Sequence, residues 1–172
     1  PDPVESEETP DGQYKMALLV RANKALFDIC TAYGLPLISG KDSMKNDYGK
    51  GATKISVPPT LMVTVIGPTA DAKKTATIDF KAAGDAVYAL GTTREELGAS
   101  EYFGMLGAVG NAVPVTVFAA NLALYKKLHA AIGAGLLRSV HDCSDGGLWV
   151  ALAESAIGGR HGFNVDASQV PQ

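Results

Sequence analysis

The chain is poor in the residues that most often staple or metallate a small protein. Among its 172 residues there are 2 cysteines, 3 histidines and 1 tryptophan. Cys30 and Cys143 form no metal-ligand spacing and no disulfide framework. A reducing, cytoplasmic setting fits such cysteine usage. No apolar run approaches the ~18–20 residues that span a bilayer. The first residues, Pro1 to Thr9, lack the basic and apolar regions of a signal peptide. A start at Pro1 without an initiator Met is what a shortened or processed chain would show. An excess of positive charge is also missing: Lys plus Arg is 15, Asp plus Glu is 18, and the formal net charge is -3. Nucleic acid and anionic membranes are therefore not expected partners, and any anionic ligand must be held by local groups.

Hydrophobic residues make up 47% and charged residues 19%, a balance that supports a packed core. Thr9-Pro10-Asp11 reads as a helix start, with Thr9 as N-cap and Pro10 in the first turn. Leu19, Ala22, Leu26, Ile29 and Tyr33 then fall on one helical face, and Gly34 and Pro36 end the helix. Leu35–Ser39 reads as a short strand, and after Gly40–Ser43 a polar stretch runs to Lys54. Pro58-Pro59 leads into Leu61–Ile66, a strand apolar on both faces and so expected inside a sheet. Residues 68–84 carry few large apolar groups, and a domain boundary is expected near residue 70. Beyond it come a strand at Ala86–Leu90, a helix around Arg94–Leu97, and a glycine-rich loop from Gly104 to Pro114. A helix at Ala119–Ile132, with Leu122, Tyr125, Leu128 and Ile132 on one face, is followed by a strand at Leu137–His141. A helix at Gly146–Ile157, stopped by Gly158-Gly159, and a new strand near Val165 complete the reading. The alternation points to an α+β fold of α/β layers.

Two segments have the composition of ligand sites. In Ile38-Ser39-Gly40-Lys41-Asp42-Ser43-Met44, a strand ends in glycine and a cation, a carboxylate and a hydroxyl follow. Gly40 permits close backbone approach, Lys41 can neutralise a phosphate, Asp42 can hold a hard cation such as Mg²⁺, and Ser43 can donate to a phosphoryl oxygen. A plain turn with solvated charges has the same composition. The Walker phosphate-loop pattern is absent.

The second segment is Val140-His141-Asp142-Cys143-Ser144-Asp145-Gly146-Gly147-Leu148. Its glycines open a helix whose first amides favour anions. The carboxylates Asp142 and Asp145 oppose a bare phosphate, so a bridging cation is expected with it. The competing reading is helix capping by Ser144 or Asp145. A Cys143–His141 nucleophile pair has no evident orienting third group, and no catalytic residue is assigned.

These two segments, in this order, resemble the formylglycinamide ribonucleotide amidotransferases, members of the aminoimidazole ribonucleotide synthetase superfamily. Pro58-Pro59-Thr60-Leu61 and Ala151-Leu152-Ala153-Glu154-Ser155-Ala156 agree with the same family. The motifs look like those of the second of two repeats. The resemblance implies the end of an ATP-associated N-terminal domain over 1–67, a linker over 68–77, and part of a C-terminal α/β domain over 78–172. It implies ATP and Mg²⁺ as cofactors. Gly40, Lys41, Ser144, Gly146 and Gly147 would then meet the nucleotide, Ser43 the ribonucleotide substrate, and Asp42 and Asp142 the metal. Many single-chain relatives carry Asn-Val where this chain has Lys41-Asp42, and larger relatives carry Lys-Asp.

The implied reaction is ATP-dependent conversion of formylglycinamide ribonucleotide, with glutamine-derived ammonia, to the formylglycinamidine. Implied partners are the remainder of the synthetase chain, a glutaminase subunit or domain, and a small accessory subunit. Two alternatives stand beside this: a structural pseudo-repeat that binds nucleotide without turnover, and a single-repeat relative such as a selenophosphate synthetase.

Overall fold

The computed structural model describes residues 10–43, 46–57 and 59–168, without the side chains of Asp11 and Ser56. The expected cap at Thr9, and the motif positions Met44 and Pro58, lie outside the described residues. The chain divides into two compact units, Pro1–Pro68 and Thr69–Gln172. It holds helices and one small sheet, as an α+β chain does.

The first unit opens with helix α1, Pro10–Tyr33. Ala22, Leu26, Ile29 and Tyr33 are half-buried along the expected face, whereas Leu19 is exposed. The helix ends as the glycine at 34 predicts. Gly34 takes φ +68°, its amide bonds Thr31 O, and the Leu35 amide reaches back to Cys30 O at 2.9 Å. This pair of bonds satisfies two of the last carbonyls.

The polar stretch, to which the sequence assigns no element, forms an antiparallel hairpin, β1 (Asp47–Lys50) with β2 (Thr53–Ser56). Gly51, at φ +59°, and Ala52 make its two-residue turn. Glycine at the first position of such a turn suits the twist of the flanking strands. Tyr48 opposes Ile55, an aromatic–β-branched pair of the kind that holds hairpins together.

The expected strands Leu35–Ser39 and Leu61–Ile66 are not strands in this structure. Leu37, Ile38, Met62, Val65 and Ile66 are 66%, 79%, 90%, 71% and 78% exposed. A strand exists only by pairing, and nothing among the described residues pairs with these segments.

In the second unit the shortfall repeats. Ala86–Leu90 makes no ladder, the described residues from Val165 to Ser168 make none, and Leu137–His141 is reduced to a parallel bridge between Thr77 and Ser139. The helix expected around Arg94–Leu97 forms a few residues later, as α2, Glu101–Met105. Ser100 explains the shift: its hydroxyl accepts from the Phe103 amide, so the helix starts where a side chain can cap it.

Helix α3, Phe118–Gly133, matches the expectation, and Gly135 at φ +70° ends it. Helix α4, Gly147–Gly159, runs through the two glycines expected to stop it. Its last turn closes instead on Arg160, a non-glycine residue at φ +55°. The His161 amide bonds Ala156 O and the Arg160 amide bonds Ile157 O.

The buried centre of this unit lies on α4, at Ala151, Leu152 and Ser155. Segment 77–80 covers it, with the Phe80 amide bonded to Ser155 O. Many large apolar side chains of the described residues stay exposed, among them Met62, Ile66, Tyr88, Met105 and Ile157. Among the described residues no helix is long and apolar enough to cross a membrane.

Candidate functional site

Each unit carries one of the two motifs. In the first unit Gly40, Lys41, Asp42 and Ser43 form an exposed segment after α1. Lys41 folds back over its own loop. Its Nζ donates to Asp42 O and to Ser43 Oγ, each at 2.6 Å. The cation and the hydroxyl expected to meet phosphate are thus adjacent and solvent-facing.

The second unit holds the more structured site. The parallel bridge at Ser139, with Val140 donating to Thr77 O at 3.1 Å, fixes the chain just ahead of His141. The backbone then turns through Ser144–Gly147 into α4, with the Gly147 amide bonded to Ser144 O. Gly146 and Gly147 take φ +81° and +64°, a left-handed pair that suits glycine. A Cβ at Gly146 would also collide with the Val150 side chain. Glycine is needed here for the turn that brings the strand end over the helix start.

Capping by Ser144 or Asp145 is not what the structure shows. No side chain caps α4, and Ser144 donates its hydroxyl to Asp142 Oδ2. The Gly147 amide is taken by Ser144 O, so only the amides after it are left for an anion.

Asp142 is 81% exposed, and each of its oxygens has one neighbour: Oδ2 accepts from Ser144, and Oδ1 lies 3.4 Å from His141 Nδ1. The Ser144 hydrogen bond first, then a backbone hydrogen bond and His141, hold this carboxyl below its ordinary pKa. Asp142 is thus kept ionised, with free lone pairs toward solvent. Among the described residues no group of three or more His, Cys, Asp or Glu side chains could enclose a metal ion.

The sequence did not single out Glu154. From α4 its Oε2 sits 2.7 Å from His141 Nε2. Both ring nitrogens of His141 thus face carboxylates rather than Cys143, which speaks against a Cys–His nucleophile pair. A signal was present: Glu154 lies seven residues after Gly147, two helical turns along α4.

Residues 82–172 match the family described as AIR synthase related protein, C-terminal domain. The chain belongs to that family. The AIR synthase related match includes the whole of the His141–Gly147 site. Similar proteins include the phosphoribosylformylglycinamidine synthase subunit PurL of Alkaliphilus metalliredigens, 37% identical over 166 residues, or 95% of this chain and 21% of the relative. That of Thermobifida fusca is 39% identical over 160 residues, 92% of this chain and 20% of the relative. That of Thermococcus sibiricus is 37% identical over 148 residues, 86% and 20%. This chain spans about a fifth of the length of the curated relatives it matches. No solved structure matches it.

Proposed function

We propose that this chain is a nucleotide- and Mg²⁺-binding part of a phosphoribosylformylglycinamidine synthase, the ATP-dependent ligase that converts formylglycinamide ribonucleotide and glutamine-derived ammonia to formylglycinamidine ribonucleotide. The observation that carries the proposal is the turn from His141 to Gly147. It sets an ionised, solvent-facing carboxylate and a serine hydroxyl beside the uncapped start of α4. The relatives' name supports the synthase over a selenophosphate synthetase.

In this reading Asp142 contributes a metal-facing oxygen, Ser144 meets a phosphate oxygen, and Gly146 and Gly147 let phosphate approach the backbone. In the first unit, taken by itself, Gly40 and Lys41 are candidates for nucleotide contact, Ser43 for the ribonucleotide substrate and Asp42 for metal. Bound Mg-ATP supplies the phosphoryl group that activates the amide oxygen. The chain's own residues position, neutralise charge and exclude water. The remainder of the synthetase, a glutaminase and a small accessory subunit are its partners, in the cytoplasm.

Calorimetric titration of the full-length protein with ADP and Mg²⁺ tests the proposal. Asp142→Asn should weaken binding at this site about tenfold or more. Wild-type affinity in that variant would remove Asp142 from the site.

A further inference from the structure

Glu154 has no part in the motif, yet it makes the shortest contact to the motif's histidine. The His141 ring is the most covered side chain of the cluster, 15% exposed, against 81% for Asp142 and 52% for Glu154. Its Nε2 lies 2.7 Å from Glu154 Oε2, across thirteen residues of chain. The bond ties the chain just after the Thr77–Ser139 bridge to the third turn of α4. The other face of the same ring meets Asp142 Oδ1 at 3.4 Å. Ser144 holds Oδ2. Asp142 therefore has a neighbour at each oxygen, and the His141 ring beside Oδ1 is held at its other nitrogen by Glu154. Hydrogen-bonded supports of this kind set the orientation of a metal-binding group, and their loss commonly costs tenfold or more in metal affinity.

We infer that Glu154, acting through His141, is a positioning residue that fixes Asp142 for the cation of a bound Mg-nucleotide. The inference rests on the proposed function of this site and adds to it a residue on α4 that touches neither nucleotide nor metal. A glutamine at 154 keeps an acceptor oxygen toward Nε2, whereas alanine removes it.

The test compares ADP binding to the full-length protein with Mg²⁺ and with EDTA. The quantity read is the gain in affinity that the metal confers, at the binding event that Asp142→Asn weakens. Glu154→Ala should reduce that gain about tenfold and leave metal-free ADP affinity within about twofold of wild type, and Glu154→Gln should restore most of it. His141→Asn breaks the same link from its other end. It should give the same loss, and it decides the matter if Glu154→Ala does not fold. A wild-type metal-dependent gain in Glu154→Ala or in folded His141→Asn, with Asp142→Asn impaired, overturns the inference and leaves the site reading standing. Equal losses with and without Mg²⁺ also overturn it, because they mark a general packing role. Unchanged binding in Asp142→Asn removes both.

Discussion

Phe80 and Ser155 are joined backbone to backbone: the Phe80 amide donates to the Ser155 carbonyl oxygen at 3.0 Å. One turn further along α4, Gly159 lies so close to Phe80 that a Cβ there would overlap the Phe80 carbonyl oxygen. Segment 77–80 thus rests on the helix that begins at the site, with no room between them. Gly159→Ala should destabilise the protein by about 1–3 kcal/mol, the usual cost of overpacking against backbone. Chemical denaturation would read the loss. An unchanged midpoint would show that the segment moves aside freely.

Arg160 offers the opposite change. It closes α4 at φ +55°, where side chains of L-residues cost about 1–2 kcal/mol. Glycine removes that strain and gives back part of the gain through a freer unfolded chain. Arg160→Gly should therefore raise stability by roughly 0.5–1 kcal/mol. A lower melting point would mean that the arginine side chain holds something the strain argument omits.

The end of α4 was not legible, since the helix runs through Gly158-Gly159 to Arg160, but that of α1 was, because its signal is local. Gly34 and Pro36 end α1, and the amphipathic spacing of α1 and α3 needs no distant partner. Strands were not legible in the same way. Leu61–Ile66 has the composition of a buried strand, but pairing is a property of two segments, and among the described residues it has no neighbour. The hairpin was missed for the converse reason. Its ten residues are mostly polar, and only Tyr48 and Ile55 give it an apolar pair. At the site, the roles proposed for Asp142 and Ser144 could be framed from residue type and order. The His141–Glu154 link could not, because it depends on how far α4 folds back beside the strand end.

Asp79 gives a dependence on pH. The Lys81 hydrogen bond, followed by that of Thr77, lowers its pKa from 3.8 to about 2. A carboxyl lowered on folding adds stability above its unfolded value, and that contribution fades as pH falls through the folded value. The melting-point difference between wild type and Asp79→Asn should be largest above about pH 4 and should close toward pH 2. A difference that stays constant across that window would assign the effect to something other than ionisation.

Activity should require more than this chain. It covers about a fifth of its PurL relatives, and much of its apolar surface is uncovered. Supplied with ATP, ammonia and formylglycinamide ribonucleotide, the 172-residue chain by itself should form no formylglycinamidine product above background. Product formed by the isolated chain would contradict the division of the site across a longer protein.

The most direct test of the nucleotide site is a crystal structure of the full-length protein grown with ADP and Mg²⁺. The account predicts a phosphate oxygen within hydrogen-bond distance of Ser144, at the start of α4, and a cation on Asp142. Nucleotide bound elsewhere, with Asp142 and Ser144 facing only solvent, would contradict it.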